Sequence, residues 1–130
     1  MNIASVHIKN FRKLRNCHID FGKDQTVFVG SNNSGKTSAI SALVWFLENT
    51  EKSTVREFTA TNWAIINEIG DKWMSTGPVD QALLNPHLWD DVVPSMDIWI
   101  SVNDGEQYRV NHLIPSLSTW EGKKVGVRCQ

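Results

Sequence analysis

Apolar and polar residues alternate from Ile3 to Lys9, with Ala4, Val6 and Ile8 on one face and Ser5, His7 and Lys9 on the other. That period of two predicts a strand buried on one side. Asn16 to Phe21 repeats it, with Cys17, Ile19 and Phe21 inward and His18 and Asp20 outward. The link from Asn10 to Arg15 is short, polar and basic, so two antiparallel strands are the simplest arrangement. Thr26-Val27-Phe28-Val29 is a short apolar, β-rich run that ends at Gly30, and it predicts a buried strand. The period then changes. Ile40, Leu43, Val44 and Leu47 recur at helical spacing, predicting a helix that ends between Glu48 and Lys52, where the apolar positions stop.

The stretch from Ser53 to Pro94 reads as a helical insertion. Trp63, Ile65, Ile66 and Ile69 predict one helix closed by Gly70, and Val79 to Leu84 a shorter one before Asn85-Pro86. Trp73 and Trp89 carry enough apolar area to pack this insertion onto the rest. Stacking on nucleic-acid bases is the sharper role for them, but no Lys or Arg surrounds them. From Met96 the alternation returns: Ile98, Ile100 and Val102 against Trp99 and Ser101, a turn at Asn103-Asp104-Gly105-Glu106, then Tyr108 and Val110. This predicts a hairpin in a β-rich region spanning 96–130. Lys124 to Gln130 starts another strand with no turn or cap after it, and an open edge there would invite mispairing. The sequence reads as an α/β lobe cut off partway through a sheet.

A length of 130 residues suits one domain, and 41% hydrophobic residues is ordinary for a globular chain. The formal charge of -1 hides an asymmetry. Lys9, Arg12, Lys13, Arg15, Lys23 and Lys36 gather early against Asp20 and Asp24, whereas Asp80, Asp90, Asp91, Asp97, Asp104 and Glu106 come later. The basic cluster suits phosphates or nucleic acid, and equally a solvated strand edge. Cys17 and Cys129 form neither a close pair nor a metal-ligand spacing, so they read as reduced thiols. With no apolar stretch of membrane-spanning length and no secretion signal, the sequence points to the cytoplasm.

The most specific chemistry lies in Gly30-Ser31-Asn32-Asn33-Ser34-Gly35-Lys36-Thr37, which meets the phosphate-loop pattern G-x-x-x-x-G-K-[ST] at every fixed position. Glycines let successive N–H groups of Gly30, Asn32, Asn33, Ser34 and Gly35 face one concavity. The following helix, opened by Lys36, Thr37 and Ser38, adds its unpaired donors and the positive end of its dipole. Lys36, the one residue assigned to catalysis, reaches the outer phosphates, and the Thr37 hydroxyl holds magnesium. The pattern leaves open ATP or GTP, and hydrolase, kinase or passive binder. Hydrolysis also needs an acidic partner for magnesium and an oriented water. Met96-Asp97 precedes its strand and Asp90-Asp91 lies in a polar stretch, so both pairs read as surface carboxylates. His7, His18, His87 and His112 are scattered without metal-binding spacing. The chain reads as the binding half of a site without its hydrolysing half.

Ile8-Lys9-Asn10-Phe11-Arg12 in an opening strand pair, followed by Phe28-Val29 and the loop through Thr37, resembles the N-terminal lobe of ABC-type ATPase heads of the SMC and RecF group. Within that group it looks most like the OLD (overcoming lysogenization defect) ATP-dependent nucleases. Pro94 to Ile100, Leu113 to Leu117 and Gly126 to Arg128 are similar to the same proteins. The resemblance implies a P-loop NTPase lobe with antiparallel strands packed around the loop's helix, binding ATP with Mg2+, and Arg12 approaching the nucleotide from the first strand connection. It further implies head-to-head homodimers, a C-terminal TOPRIM nuclease acting on DNA, and a role in phage defence. The signature motif, Walker B strand, switch histidine and TOPRIM carboxylates of that family have no counterpart in this sequence. A non-enzymatic fragment kept for dimerisation, an SMC/RecF-type repair ATPase and, more remotely, a small-molecule kinase stay open.

Overall fold

The alternating N-terminal segment forms β1 (Asn2–Phe11) and pairs antiparallel with β2 (Leu14–Asp20), setting His7 opposite His18 and Ile8 opposite Cys17. In this computed structural model residues 1–27, 35–48, 54–81, 83–113, 120 and 123–130 are described. The other edge of β1 pairs antiparallel with β3 (Ser95–Ser101), and β3 pairs antiparallel with β4 (Lys124–Cys129). The result is a four-stranded sheet in the order β2-β1-β3-β4. Its two inner strands are thus far apart in sequence.

Pleating sends every second residue to the same face. One face carries the cross-strand rows Cys17, Ile8, Met96, Cys129 and Ile19, Val6, Ile98, Val127. Onto it packs α1 (Lys36–Glu48), burying Ala39, Ala42 and Phe46. Two alanines on the buried side let the helix approach the sheet closely. Phe11 closes one end of this core, its ring centroid 5.8 Å from Trp45 and 6.0 Å from Phe46. The architecture is α/β with an all-antiparallel sheet.

The predicted apolar stripe of α1 is turned the wrong way. Ile40, Val44 and Leu47 are 46%, 45% and 55% exposed, while Ala39, Ala42 and Phe46 face the sheet and Leu43 is half-buried. The helix is apolar nearly all round, so its spacing cannot select a face; packing distance does. Of the predicted strand at Thr26 to Val29, Thr26 and Val27 carry no regular structure, and the Thr26 hydroxyl oxygen instead accepts a 2.9 Å bond from Gly22 N–H. Phe28 and Val29 lie outside the described residues.

In the insertion, α2 (Trp63–Ser75) does not close at Gly70 but runs through it. A glycine inside a helix costs only about 0.5–1 kcal/mol relative to alanine, too little to stop it. It ends before Gly77-Pro78, where the Thr76 hydroxyl donates to the Lys72 carbonyl at 2.6 Å. The second helix, α3 (Pro78–Gln81), starts earlier than predicted, with proline in its first turn, where the missing N–H is no loss. Leu83 and Leu84 fall outside it, and Ala82 is not among the described residues. Trp73 and Trp89 are both half-buried.

Among the described residues the predicted hairpin does not form. After Val102 the chain makes short 3-10 turns at Gln107–Arg109 and Asn111–Leu113, and Tyr108 is exposed. Val110, 2% exposed, joins Val102 and Val125 in a small satellite core, so one apolar residue is buried without a strand around it. The strand that returns along β3 is β4. Asp97 also corrects the sequence reading: it lies inside β3, not ahead of it.

Candidate functional site

Gly35 stands directly before α1 with φ of +86°, in the left-handed region that glycine enters without strain. A Cβ built there would also meet Leu14 Cδ2 at 3.0 Å, so backbone and packing both call for glycine. Its carbonyl accepts the Ala39 N–H at 2.9 Å, the bond that opens the helix. Lys36 and Ser38 are half-buried and Thr37 is exposed in this first turn. Gly30, Ser31, Asn32, Asn33 and Ser34 lie outside the described residues.

A cleft of about 410 Å³ opens between β2 and the start of α1, lined by Cys17, His18, Asp20, Gly35 and Lys36 among others. His18 Nε2 lies 3.1 Å from Asp20 Oδ1 on its wall. Burial pushes the Cys17 thiol up from its ordinary value, which keeps it protonated and unreactive at neutral pH.

Arg12 lies apart from this cleft. It lines a groove of about 330 Å³ along α1 with Ile40, Ser41, Val44 and Trp45. Its backbone sits at φ of 52° and Asn10 at 55°, both left-handed. Arg12 N–H donates to the Glu57 carbonyl at 2.8 Å, Nη2 stands 3.7 Å from Glu57 Oε1, and the guanidinium lies 5.1 Å above the Phe11 ring centroid.

Sequence reasoning missed Glu57, a carboxylate only 7% exposed at the end of the 3-10 turn Val55–Glu57. Thr54 N–H and the Thr54 hydroxyl each donate to its Oε2 at 2.7 Å, completing a capping box. Burial alone would raise its pKa, but the Thr54 hydrogen bonds and the Arg12 charge outweigh that and hold it below the ordinary glutamate value. The signal was present: Thr54-Val55-Arg56-Glu57 is a T-x-x-E pattern.

The histidines are less scattered than their spacing suggests. His18, His7, Asp97 and Arg128 form one row across all the strands on the face away from α1. The His7 and His18 rings meet edge to face at 5.9 Å, and His7 Nε2 is hydrogen-bonded to Asn16 Oδ1. Arg128 grips Asp97 with both Nε and Nη2, at 2.6 and 2.8 Å, and these bonds hold the Asp97 carboxyl below its ordinary value. Asp97 is therefore a structural ion-pair partner. Asp90 is bonded to His87 at 2.9 Å. Among the described residues no group of three His, Cys, Asp or Glu side chains could hold a metal ion, and no helix is long and apolar enough to cross a membrane.

Residues 1–104 match the AAA ATPase domain family. An uncharacterized protein of Methanocaldococcus jannaschii is 44% identical over 46 residues, which cover 35% of this chain and 14% of that protein. The DNA replication and repair protein RecF of Picosynechococcus is 33% identical over 43 residues, covering 33% of this chain and 11% of RecF. The chain thus spans a small fraction of the length of either relative.

Proposed function

Because this chain belongs to the AAA ATPase domain family, we propose that it binds Mg-ATP through Gly30 to Thr37, as the N-terminal part of an ATPase of the SMC/RecF and OLD-like kind. The observation that carries this reading is Gly35 in a left-handed turn feeding a helix whose first residues are Lys36 and Thr37. A helix start of this sort presents the positive end of its dipole to an anion. Bound there, the nucleotide would supply a transferable phosphoryl group. This chain's own part is to hold it: the loop amides and Ser38 around the phosphates, Lys36 on the outer ones and Thr37 on magnesium.

Binding is the role proposed for residues 1–130, the N-terminal lobe with a helical insertion at 53–94; hydrolysis would need an acidic magnesium partner and an oriented water besides. An OLD-like parent would be a cytoplasmic, homodimeric, ATP-driven nuclease acting on DNA in phage defence. The identity to RecF favours a second reading, a DNA-repair ATPase without the nuclease.

Isothermal calorimetry of Mg-ATP against wild type and Lys36→Ala tests the shared core of both. Losing one charge-assisted bond, worth about 1.5–3 kcal/mol, should weaken binding roughly 10- to 100-fold. Equal heats from the two proteins would overturn the reading.

A further inference from the structure

We propose that Asn10 and Asn62 form a polar latch at the neck of the insertion, and that the arm beyond it, α2 with α3 and the 3-10 turn Pro86–Trp89, opens as one unit while the sheet stays paired. The inference is independent of the nucleotide-binding reading.

The latch begins where the ladder stops. Lys9 opposite Ser95 is the last β1–β3 pair, so the carbonyls just ahead of β3 need partners from elsewhere. Two asparagine side chains supply them. Asn10 Nδ2 donates to the Asp91 carbonyl at 2.8 Å and, more weakly, to that of Val93 at 3.4 Å, while Asn62 Nδ2 donates to the Val92 carbonyl between them at 3.1 Å. Asn62 Nδ2 also donates to Asn10 Oδ1 at 3.1 Å, which ties the two side chains together. Asn10 sits at φ of 55°, a left-handed backbone that asparagine tolerates better than most L-residues. Backbone and hydrogen bonds thus select the same residue type.

Asn62 stands at the entry of the insertion, directly before α2, and Asp91 to Val93 at its exit, so one cluster joins both feet to the end of β1. The entry foot also runs along the β1–β2 turn: the Glu57 carbonyl accepts from Arg12 N–H, Phe58 bridges to Phe11, and Thr61 Oγ1 accepts from Arg15 Nη2 at 3.2 Å. Gln130 adds a 3.3 Å bond to Asp90 at the exit. Beyond the neck the character changes. α2 buries no residue, and its main neighbours are the 3-10 turns of the insertion itself. Gln81 Nε2 donates to the carbonyls of Trp73 and Thr76 at 2.9 and 3.1 Å, fastening α3 to α2. Met74, Val79 and Leu83 are 86%, 84% and 83% exposed. A segment bound internally, with few buried apolar contacts to the body, opens locally at far lower cost than the sheet. What restrains it is a handful of hydrogen bonds, each of modest net worth.

Amide hydrogen exchange of the full chain, followed residue by residue by NMR, tests this. In the wild type the α2 amides should share one opening and exchange at least about 100-fold faster than the paired amides of β1 and β3. Asn62→Ala should speed the α2 amides and the Val92 amide, which is bonded to the Trp89 carbonyl, about 5- to 10-fold further and leave β1 and β3 unchanged. Asn62 makes no side-chain cap bond to α2, so its loss acts through the latch and not by uncapping the helix. Asn10→Asp keeps the acceptor and the tolerance of left-handed φ but loses the donors, and should act alike. The double variant should add little, because both side chains work through one cluster. If Asn10→Asp does not fold, Asn62→Ala alone decides. Acceleration spread evenly over arm and sheet, none in folded Asn62→Ala, or wild-type α2 amides as slow as those of the sheet overturns the proposal.

Discussion

At position 35 the phosphate-loop pattern demands glycine, and two physical reasons for it are left-handed φ and the crowding Leu14 side chain. Gly35→Ala should therefore destabilise the fold by about 1–2 kcal/mol from backbone strain alone, measured as a lower urea midpoint. Glu57 is also legible in the sequence, as part of a capping box, but its pairing with Arg12 is not, because that contact joins distant residues. Two of the three depressed carboxyls are shielded from solvent, and these have a pH consequence. Glu57 and Asp97 both ionise more readily folded than unfolded, so their stabilisation is complete above the ordinary carboxylate pKa and is lost as pH falls through the lower folded values. The urea midpoint should hold from neutrality to about pH 5 and drop below it, and Glu57→Gln should flatten that drop.

At the scale of elements, period was legible and direction was not. The alternation identified β1 and β2 and most of their buried faces; Ser5, read as outward, is buried beside an irregularity in the β1–β3 register, and both strands run into the segment read as their link. In α1 the same logic failed, since nearly every turn offers apolar residues on both sides. The two faces predict opposite outcomes. Phe46→Ala, on the sheet side, should cost about 3–5 kcal/mol. Val44→Ser, on the outer side, should stay within about 0.5 kcal/mol in the same denaturant titration. The missing hairpin has a related cause. Alternation after Met96 marked β3 correctly, but nothing local specifies which later segment pairs with it. Val110 is a single buried residue, whereas Lys124 to Cys129 supplies a full ladder.

At the scale of the molecule, family membership and the phosphate-loop motif were readable from a few contiguous residues, while the sheet order was not. β1 pairs on one side with its sequence neighbour and on the other with a strand that begins at Ser95. That pairing brings His7 beside both His18 and Asp97, a juxtaposition no spacing rule anticipates. It also sets a timetable during synthesis. The first two strands can zip together as soon as they leave the ribosome, but the partner for their free side begins to emerge about 75 residues later. At about 5–20 residues per second the nascent chain carries an open, sticky ribbon edge for on the order of ten seconds. Over that interval its safety from mispairing depends on chaperones or on the charges of Lys9, Lys13 and Arg15.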